Sequence, residues 1–437
     1  MRTVAFLLLS FCCLSVMSAA ESRLDFWPAW RGPLQSGVAP KANLPTEWSE
    51  KKNVRWKLAL PGKGHSTPII WGDLVFVTAA VPFGEKREEV YSKVEGAHDN
   101  FPVSREHRFV VLAVNRRTGK VEWETELKRE FPHEGGHYTA SLASNSPVTD
   151  GRHIYVFMGS RGLFCLDFKG EIVWFKDMGR METRHAYGEG SSPALHGEVL
   201  VVNWDHQKQS RLMAFNTRIG KKIWEVKRDE MTSWSSPLIV EHAGKMQVVV
   251  SATGAVRGYD LQNGSVIWEC KGLSRNVVAS PVAGDGMVFA ANSYDWQAML
   301  AIKLDGAKGD VTDTEQVVWK LNRLTPYVPS PLYDDGALIF LRHNQNILSF
   351  INAETGDNID GPYRLGGIRE VFASPIAAAA HVYVADRSGN TLVLKRDKSL
   401  DFLGVNRLED KFSASPAAAG KELYLRGEKF LYCIAED

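Results

Sequence analysis

Short apolar runs rich in β-branched and aromatic residues follow one another along most of this chain, and turn residues separate them. Residues 154–157 read Ile-Tyr-Val-Phe and residues 382–384 read Val-Tyr-Val, with Gly or Asp in the segments between runs. Such residues fit the half-buried surface of a sheet, so the runs predict short β-strands. The pattern indicates an all-β protein.

A Ser-Pro or Thr-Pro anchor stands before an apolar run in each of eight units. Successive prolines are 79, 46, 44, 44, 50, 44 and 41 residues apart, and they are Pro68, Pro147, Pro193, Pro237, Pro281, Pro331, Pro375 and Pro416. The first interval is long because a charged insertion, residues 81–107, interrupts the first unit. Four strand-like runs in a repeat of about 44 residues are typical of one blade of a β-propeller.

Each unit also contains a hairpin turn, and in most units a strand carrying tryptophan follows it. Residues 115–120 and 260–264 are two copies of the turn, in which Asn or Asp binds the backbone and Gly takes a positive φ. A large apolar ring suits the space between neighbouring blades. The structural tryptophans are Trp56, Trp123, Trp174, Trp224, Trp268 and Trp319. Blades six and seven lack one, so other groups should seal their interfaces.

The two ends of the repeat region complement each other. The last unit ends after residues 430–434 without a fourth strand, and residues 53–58 before the first anchor read as an isolated fourth strand. Pairing the two completes blade eight and removes two sheet edges. We therefore predict a single eight-bladed propeller over residues 53–437, closed by this pairing. An open β-solenoid would not need matching ends.

The segment before the repeats divides into a leader and a head. Arg2, a short apolar core and Ser18-Ala19-Ala20 are typical of a cleaved signal peptide, residues 1–20, although a short N-terminal anchor has a similar pattern. The protein is then periplasmic or secreted, and no later apolar run reaches transmembrane length. Residues 21–52 form an N-terminal extension, and we expect its first part, residues 21–45, to carry no blade strand.

Charge and cysteine content narrow the possible partners. The 52 basic and 51 acidic residues balance, which leaves no electrostatic footprint for nucleic acid. After removal of the leader, three cysteines remain, an odd and sparse set that is not a disulfide framework. We expect a monomer with buried thiols.

The hairpin and tryptophan segments also resemble a known repeat. Residues 113–123 and 214–224 resemble the tryptophan-docking repeat of the quinoprotein alcohol dehydrogenase superfamily, and the resemblance covers roughly residues 53–437. Residues 27–33 are similar to the start of secreted pyrroloquinoline-quinone (PQQ)-like repeat proteins of planctomycete type. The same repeat builds the propeller lipoprotein of the bacterial outer-membrane barrel-assembly machinery. The resemblance implies the fold and leaves the function open.

Quinone-dependent dehydrogenases of that superfamily carry a vicinal disulfide, a calcium site of carboxylate and amide oxygens, and an Asp base. After the leader this chain has no adjacent cysteines, and no acidic cluster offers six to eight oxygens for calcium. We predict no cofactor, with PQQ and calcium only under the alternative of a PQQ-dependent oxidoreductase. Catalytic and metal-binding residues are not predicted.

Two other segments invite a functional interpretation. Residues 133–137 match the metalloprotease pattern H-E-x-x-H, but Pro132 and two glycines disfavour the helix which that chemistry needs, so we expect a loop. The 81–107 insertion is either a solvated loop or a lid over one end of the ring.

Residues just before each anchor should rim one mouth of the central channel. One position per blade gives the candidate ligand-binding residues His65, His137, Glu189, Trp234, Arg275, Tyr327, Arg369 and Phe412. This mixed aromatic and charged rim suits a peptide or glycan better than a metal. We therefore expect a non-catalytic extracytoplasmic scaffold that binds a protein, peptide or glycan of the cell envelope.

Overall fold

The computed structural model describes residues 23–436, and the predicted signal peptide lies outside them. Eight antiparallel sheets of four blade strands each form an eight-bladed β-propeller, as predicted. No helix within residues 23–436 is long and apolar enough to cross a membrane.

Each blade runs from an innermost strand, directly after its anchor proline, to an outermost fourth strand. Blade one contains Ile69–Trp71, Leu74–Phe83, Glu106–Asn115 and Val121–Glu130, and blade two Val148–Thr149, His153–Phe157, Leu163–Asp167 and Ile172–Lys176. Blade three contains Ala194–His196, Val199–Trp204, Ser210–Asn216 and Lys222–Arg228, and blade four Leu238–His242, Lys245–Val250, Val256–Asp260 and Val266–Cys270. Blade five contains Val282–Gly284, Met287–Ser293, Gln297–Lys303 and Val317–Leu321, and blade six Leu332–Asp334, Ala337–Leu341, Ile347–Asn352 and Asn358–Arg364. Blade seven contains Ile376–Ala378, His381–Ala385, Asn390–Lys395 and Phe402–Arg407, and blade eight Ala417–Ala419, Glu422–Arg426, Phe430–Ile434 and Val54–Ala59.

A few short elements lie outside this pattern. They are the strands Val38–Ala39, Asn100–Phe101, Gly136–His137 and Gly309–Asp310 and the 3-10 turns Gly159–Arg161 and Arg184–Ala186. In most blades the second and third strands are buried over nearly their whole length, because neighbouring blades pack on both of their faces. The hydrophobic core is therefore a series of interfaces between blades.

Tryptophans of the fourth strands join successive blades. In five blades the indole N–H donates to a backbone carbonyl of the next blade at 2.8–2.9 Å, in the pairs Trp56–Arg116, Trp123–Phe168, Trp174–Thr217, Trp224–Leu261 and Trp319–Ala353. The ring lies on the turn glycine of that next blade, where a Cβ would come within 2.6–2.9 Å of it. The repeated Gly and Trp are thus two halves of one contact.

Trp268 departs from this geometry. It packs in the core between blades four and five, but its indole N–H donates to Oε1 of Gln247 in its own blade at 2.9 Å. The residue opposite it is Gly258, where the corresponding tryptophans face Ala or Cys. Without a Cβ at Gly258 the ring settles against its own sheet, since a Cβ there would lie 2.3 Å from the indole nitrogen.

Ring closure is confirmed. Val54–Ala59 pairs antiparallel with Phe430–Ile434, with Trp56 opposite Cys433 and Lys57 opposite Tyr432. The ring of Trp56 packs 5.9 Å from that of Tyr424 within blade eight, and its N–H reaches blade one. The first and last blade strands in the chain therefore belong to one sheet.

The expectation that residues 21–45 carry no blade strand is wrong. Val38–Ala39 pairs in parallel with the innermost strand of blade seven and becomes the fifth strand of that sheet. Val38 also enters the core between blades six and seven, and Trp48 stacks on Tyr383 of blade seven at 6.4 Å. The head thus supplies packing at the interfaces of the two blades that have no docking tryptophan.

Candidate functional site

A ring of hydroxyl groups surrounds the channel where the eight innermost strands begin. Each Ser or Thr before an anchor proline lines the channel, and in seven of eight steps its Oγ accepts the backbone N–H of the equivalent residue in the preceding blade at 2.8–3.0 Å. We call this ring the hydroxyl belt; its members are Thr67, Ser146, Ser192, Ser236, Ser280, Ser330, Ser374 and Ser415. Thr67, at the seam between blades eight and one, has a buried Oγ1 without a hydrogen-bond partner among the described residues.

The N-terminal head closes the channel directly below this belt. Innermost strands are edge strands toward the channel, and their backbone groups need partners. Two residues after the anchor proline, the backbone N–H of four blades donates to a head carbonyl at 2.8–3.3 Å, in the pairs Ile70–Trp27, Thr149–Pro28, Tyr333–Ser36 and Ala377–Gly37. In blade four, Gln35 bonds the corresponding position, Ile239.

Arg31 fixes the head at the same level. Its guanidinium is buried and donates to the carbonyls of the anchor prolines Pro331 and Pro375, both at 2.8 Å. The neighbouring Trp30 lines the floor of the space above. The channel is therefore a cup with one closed end, with a volume of about 400 Å³.

Aromatic side chains form the wall of the cup above the belt. On one side, the ring of Tyr187 lies 4.8 Å from that of His137 and 6.4 Å from that of Trp234. On another, Tyr294 and Tyr327 lie 5.8 Å apart. These rings give the cup flat apolar faces above a polar floor.

The charged insertion reaches this rim. Asn100–Phe101 pairs with Gly136–His137 beside the cup, and His98 Nε2 lies 2.5 Å from the hydroxyl oxygen of Tyr187. Residues 84–91, by contrast, are exposed. The insertion therefore helps to position Tyr187, and its action as a lid stays a prediction.

Most of the predicted rim residues lie at this mouth. His65, His137, Glu189, Trp234 and Tyr327 line the cup, and Arg369 lines an adjoining cleft. Ligand binding by any of them stays a prediction. Tyr187, Tyr294 and Trp30 were not predicted; they come from connections and from the head, away from the position that the anchor defines.

Two of the predicted rim positions line neither the cup nor the adjoining cleft. Arg275 is exposed and forms a two-pronged ion pair with Asp295 at 2.6 and 2.7 Å. Phe412 is 0% exposed and packs 6.0 Å from the ring of Tyr432 in the interface core. Glu189 and Tyr327 lie at the same distance from their anchors and face the cup, but the side chain of Phe412 turns into the interface, so its assignment to the rim is wrong.

Charged groups at this mouth are largely satisfied within the protein. Glu189 accepts from the backbone N–H and Oγ of Ser160 at 2.7 and 2.5 Å and pairs with Arg161 at 3.2 Å. His65 is half-buried with its Nε2 enclosed, and desolvation of the ring, followed by nearby Lys63 and other cations, lowers its pKa well below the ordinary value. His65 is therefore a neutral ring at physiological pH.

Residues 133–137 form a loop and a two-residue strand, as expected from Pro132 and the glycines. Glu134 is buried and accepts from the hydroxyl and backbone N–H of Thr183 at 2.9 and 3.3 Å, and burial raises its pKa to about 7. No group of three or more His, Cys, Asp or Glu in the described part of the chain could hold a metal ion. Glu134 therefore braces the connection between blades two and three.

Residues 107–359 match the family model described as "Outer membrane protein assembly factor BamB". The chain belongs to this family. No curated protein matched the sequence.

Solved structures similar to this family member share its fold at low identity. BamB from Moraxella catarrhalis aligns with a TM-score of 0.51 and 12% identity, covering 82% of this chain and 98% of that one. The quinohemoprotein alcohol dehydrogenase from Comamonas testosteroni aligns with a TM-score of 0.60 and 10% identity, covering 96% of this chain and 82% of that one. The computationally designed Ika8 protein aligns with a TM-score of 0.56 and 9% identity, covering 86% and 98%.

Proposed function

We propose that this protein is a non-catalytic extracytoplasmic scaffold whose aromatic cup binds part of a peptide or glycan of the cell envelope. Membership of a family described by an outer-membrane assembly factor supports the location and the scaffold role. The cup supplies the site.

The observation that carries the proposal is the closed cup itself. Its volume of about 400 Å³ lies within the range of small-molecule sites, and a few polar groups accompany the aromatic wall. The head blocks the far side, so the cup accepts an end or a side branch of a ligand, and a chain threaded through the ring is excluded. Such a site recognises a terminal group.

The alternative is a quinone-dependent oxidoreductase, which the structural similarity to a quinohemoprotein alcohol dehydrogenase suggests. PQQ is a planar tricarboxylate, and holding it requires cations. The side chains that line the cup include no Lys or Arg, and their one carboxylate, Glu189, is engaged by Ser160 and Arg161. Within the cup itself this donor set does not supply the cations that the quinone needs, and we derive no step through it.

Binding of the mature protein to an array of envelope oligosaccharides and peptides tests the proposal. The matched pair of variants is Trp234→Ala, in the wall of the cup, and Trp296→Ala, an indole that is 55% exposed and does not line the cup. We expect binding that the first variant loses and the second keeps. Binding unchanged in Trp234→Ala refutes the cup as the site, and dye-linked oxidation of alcohols or sugars after addition of PQQ and calcium refutes the non-catalytic role.

A further inference from the structure

A second, more polar cleft of about 470 Å³ adjoins the cup. The two spaces share Thr139, Asn344 and Phe372. Two aromatic side chains, Tyr138 and Phe372, line the cleft. Its other lining residues are polar: Arg364, Arg369 and Arg387, neutral amides, a threonine hydroxyl, and Glu370 as the one carboxylate. A ligand seated in the cup can therefore extend into a cationic compartment.

Arg387 is the central cation of this cleft. Its side chain is only 10% exposed, and the guanidinium lies 4.9 Å above the ring of Phe372. Its Nε is buried without a hydrogen-bond partner in the described structure, and the carboxylate of Glu370, itself 70% exposed, stands 3.9 Å away. A buried guanidinium without a hydrogen-bonded counter-ion has an unfavourable solvation free energy. A ligand anion that binds Arg387 would supply the missing hydrogen bonds and the missing negative charge.

The buried acid that precedes this arginine in the sequence is engaged elsewhere. Asp386 accepts from the backbone N–H groups of Arg369, Ser388 and Asn390 and from the Asn390 side chain at 2.8–3.0 Å. Those bonds hold the two turns that carry Arg369 and Arg387 next to each other.

The cup beside the cleft favours an oxygen-rich ligand. Seven hydroxyls of the belt each accept one backbone N–H, which leaves the proton of each hydroxyl available to donate into the channel. Aliphatic side chains are few, with Val278 and Val328 the largest along the lining. A peptide would call for apolar anchor pockets or a free sheet edge, whereas a sugar presents acceptor oxygens and an apolar ring face.

We propose that cup and cleft together bind an acidic oligosaccharide, with a sugar ring against the aromatic wall and its carboxylate or sulfate on Arg369 and Arg387. This proposal rests on the proposed binding role of the cup. An arginine fork matches the planar, two-oxygen geometry of a carboxylate and also binds sulfate oxygens.

Calorimetric titration of the mature protein with tetragalacturonate, its fully methyl-esterified form and a heparin-type tetrasaccharide tests the idea. We expect an acidic saccharide to bind at least about tenfold more tightly than the neutral ester, because bonds to charged groups are worth that much. Arg387→Gln should weaken acid binding by about 10–100-fold, and Arg369→Gln by less, since it is exposed. Arg152→Gln, an exposed arginine in the turn between the first two strands of blade two, is the matched control and should leave binding unchanged.

Thermal melting of each variant separates loss of binding from loss of fold, and Arg369→Gln provides the test if Arg387→Gln is unstable. Equal binding of acid and ester, or acid binding unaffected by both cleft variants, overturns the acidic ligand while leaving a cup that binds. Preferential binding of an aspartate hexapeptide over every saccharide also overturns it. Absence of binding to all saccharides and to the peptide overturns both proposals.

Discussion

Replacing Trp27 by alanine tests whether the head is an integral part of the ring. Trp27 is 0% exposed, lies in the core that joins blades seven, eight and one, and accepts the backbone N–H of Ile70 at 2.8 Å. Its ring lies so close to Gly32 that a Cβ there would come within 2.6 Å of it. A buried tryptophan truncated to alanine costs about 3–5 kcal/mol.

That loss is measurable by calorimetry or by circular dichroism. With an unfolding entropy of about 2 cal/mol/K per residue over the described chain, the Tm should fall by about 3–6 °C. Trp296→Ala is the control, because a 55% exposed side chain away from the core should change stability by about 0.5 kcal/mol or less. If both variants melt together with the unchanged protein, the head is a loosely held tail and the closed floor of the cup is refuted.

Three further changes test separate parts of the structure. Glu134→Gln should remove a pH dependence of stability. Burial raises the pKa of Glu134 to about 7, so between pH 4.5 and 7 the native protein holds a proton that the unfolded chain releases, and the free energy of unfolding falls by up to about 3 kcal/mol as pH rises. The same pH dependence of the free energy of unfolding in both proteins across this range would contradict the prediction. Gly220→Ala should destabilise the protein by about 1–3 kcal/mol more than Gly197→Ala in urea titrations. Both glycines have a positive φ, but only a Cβ at residue 220 would clash with the ring of Trp174, and equal losses of stability would argue against the docking contact. Ser330→Ala should cost about 1–3 kcal/mol by leaving a backbone N–H of the belt without its acceptor, and an unchanged urea midpoint would show that the belt contributes nothing.

The blade architecture was predictable because each anchor marks one innermost strand and five turn glycines each face a docking tryptophan. Apart from the first unit with its insertion, the anchors recur every 41–50 residues, so a single sequence contains several copies of the same evidence. The rim was predictable only in part. Position relative to the anchor placed Trp234 and Tyr327 correctly, but whether a side chain such as Phe412 turns toward the channel or into the interface depends on the path of its connection.

The floor of the cup had no sequence signal of this kind. Its contacts join head carbonyls to backbone N–H groups of innermost strands up to 340 positions away, such as that of Gly37 with Ala377, and backbone groups carry no residue signature. The buried Arg31 bonds carbonyl oxygens of two prolines, so no acidic partner in the sequence marks it. Only the completed ring brings these groups together.

Pairing of Val54–Ala59 with Phe430–Ile434 has a consequence for how the molecule is made. The strand that is synthesised first among the blades finds its neighbour last, after about 370 further residues have left the ribosome. Contacts this distant in the chain form slowly, because the loop must close before the strands gain from pairing. Until then blade eight presents an unsatisfied edge that can pair with another chain. The nascent protein therefore depends on rapid completion, or on a chaperone that covers this edge, far more than its finished stability would indicate.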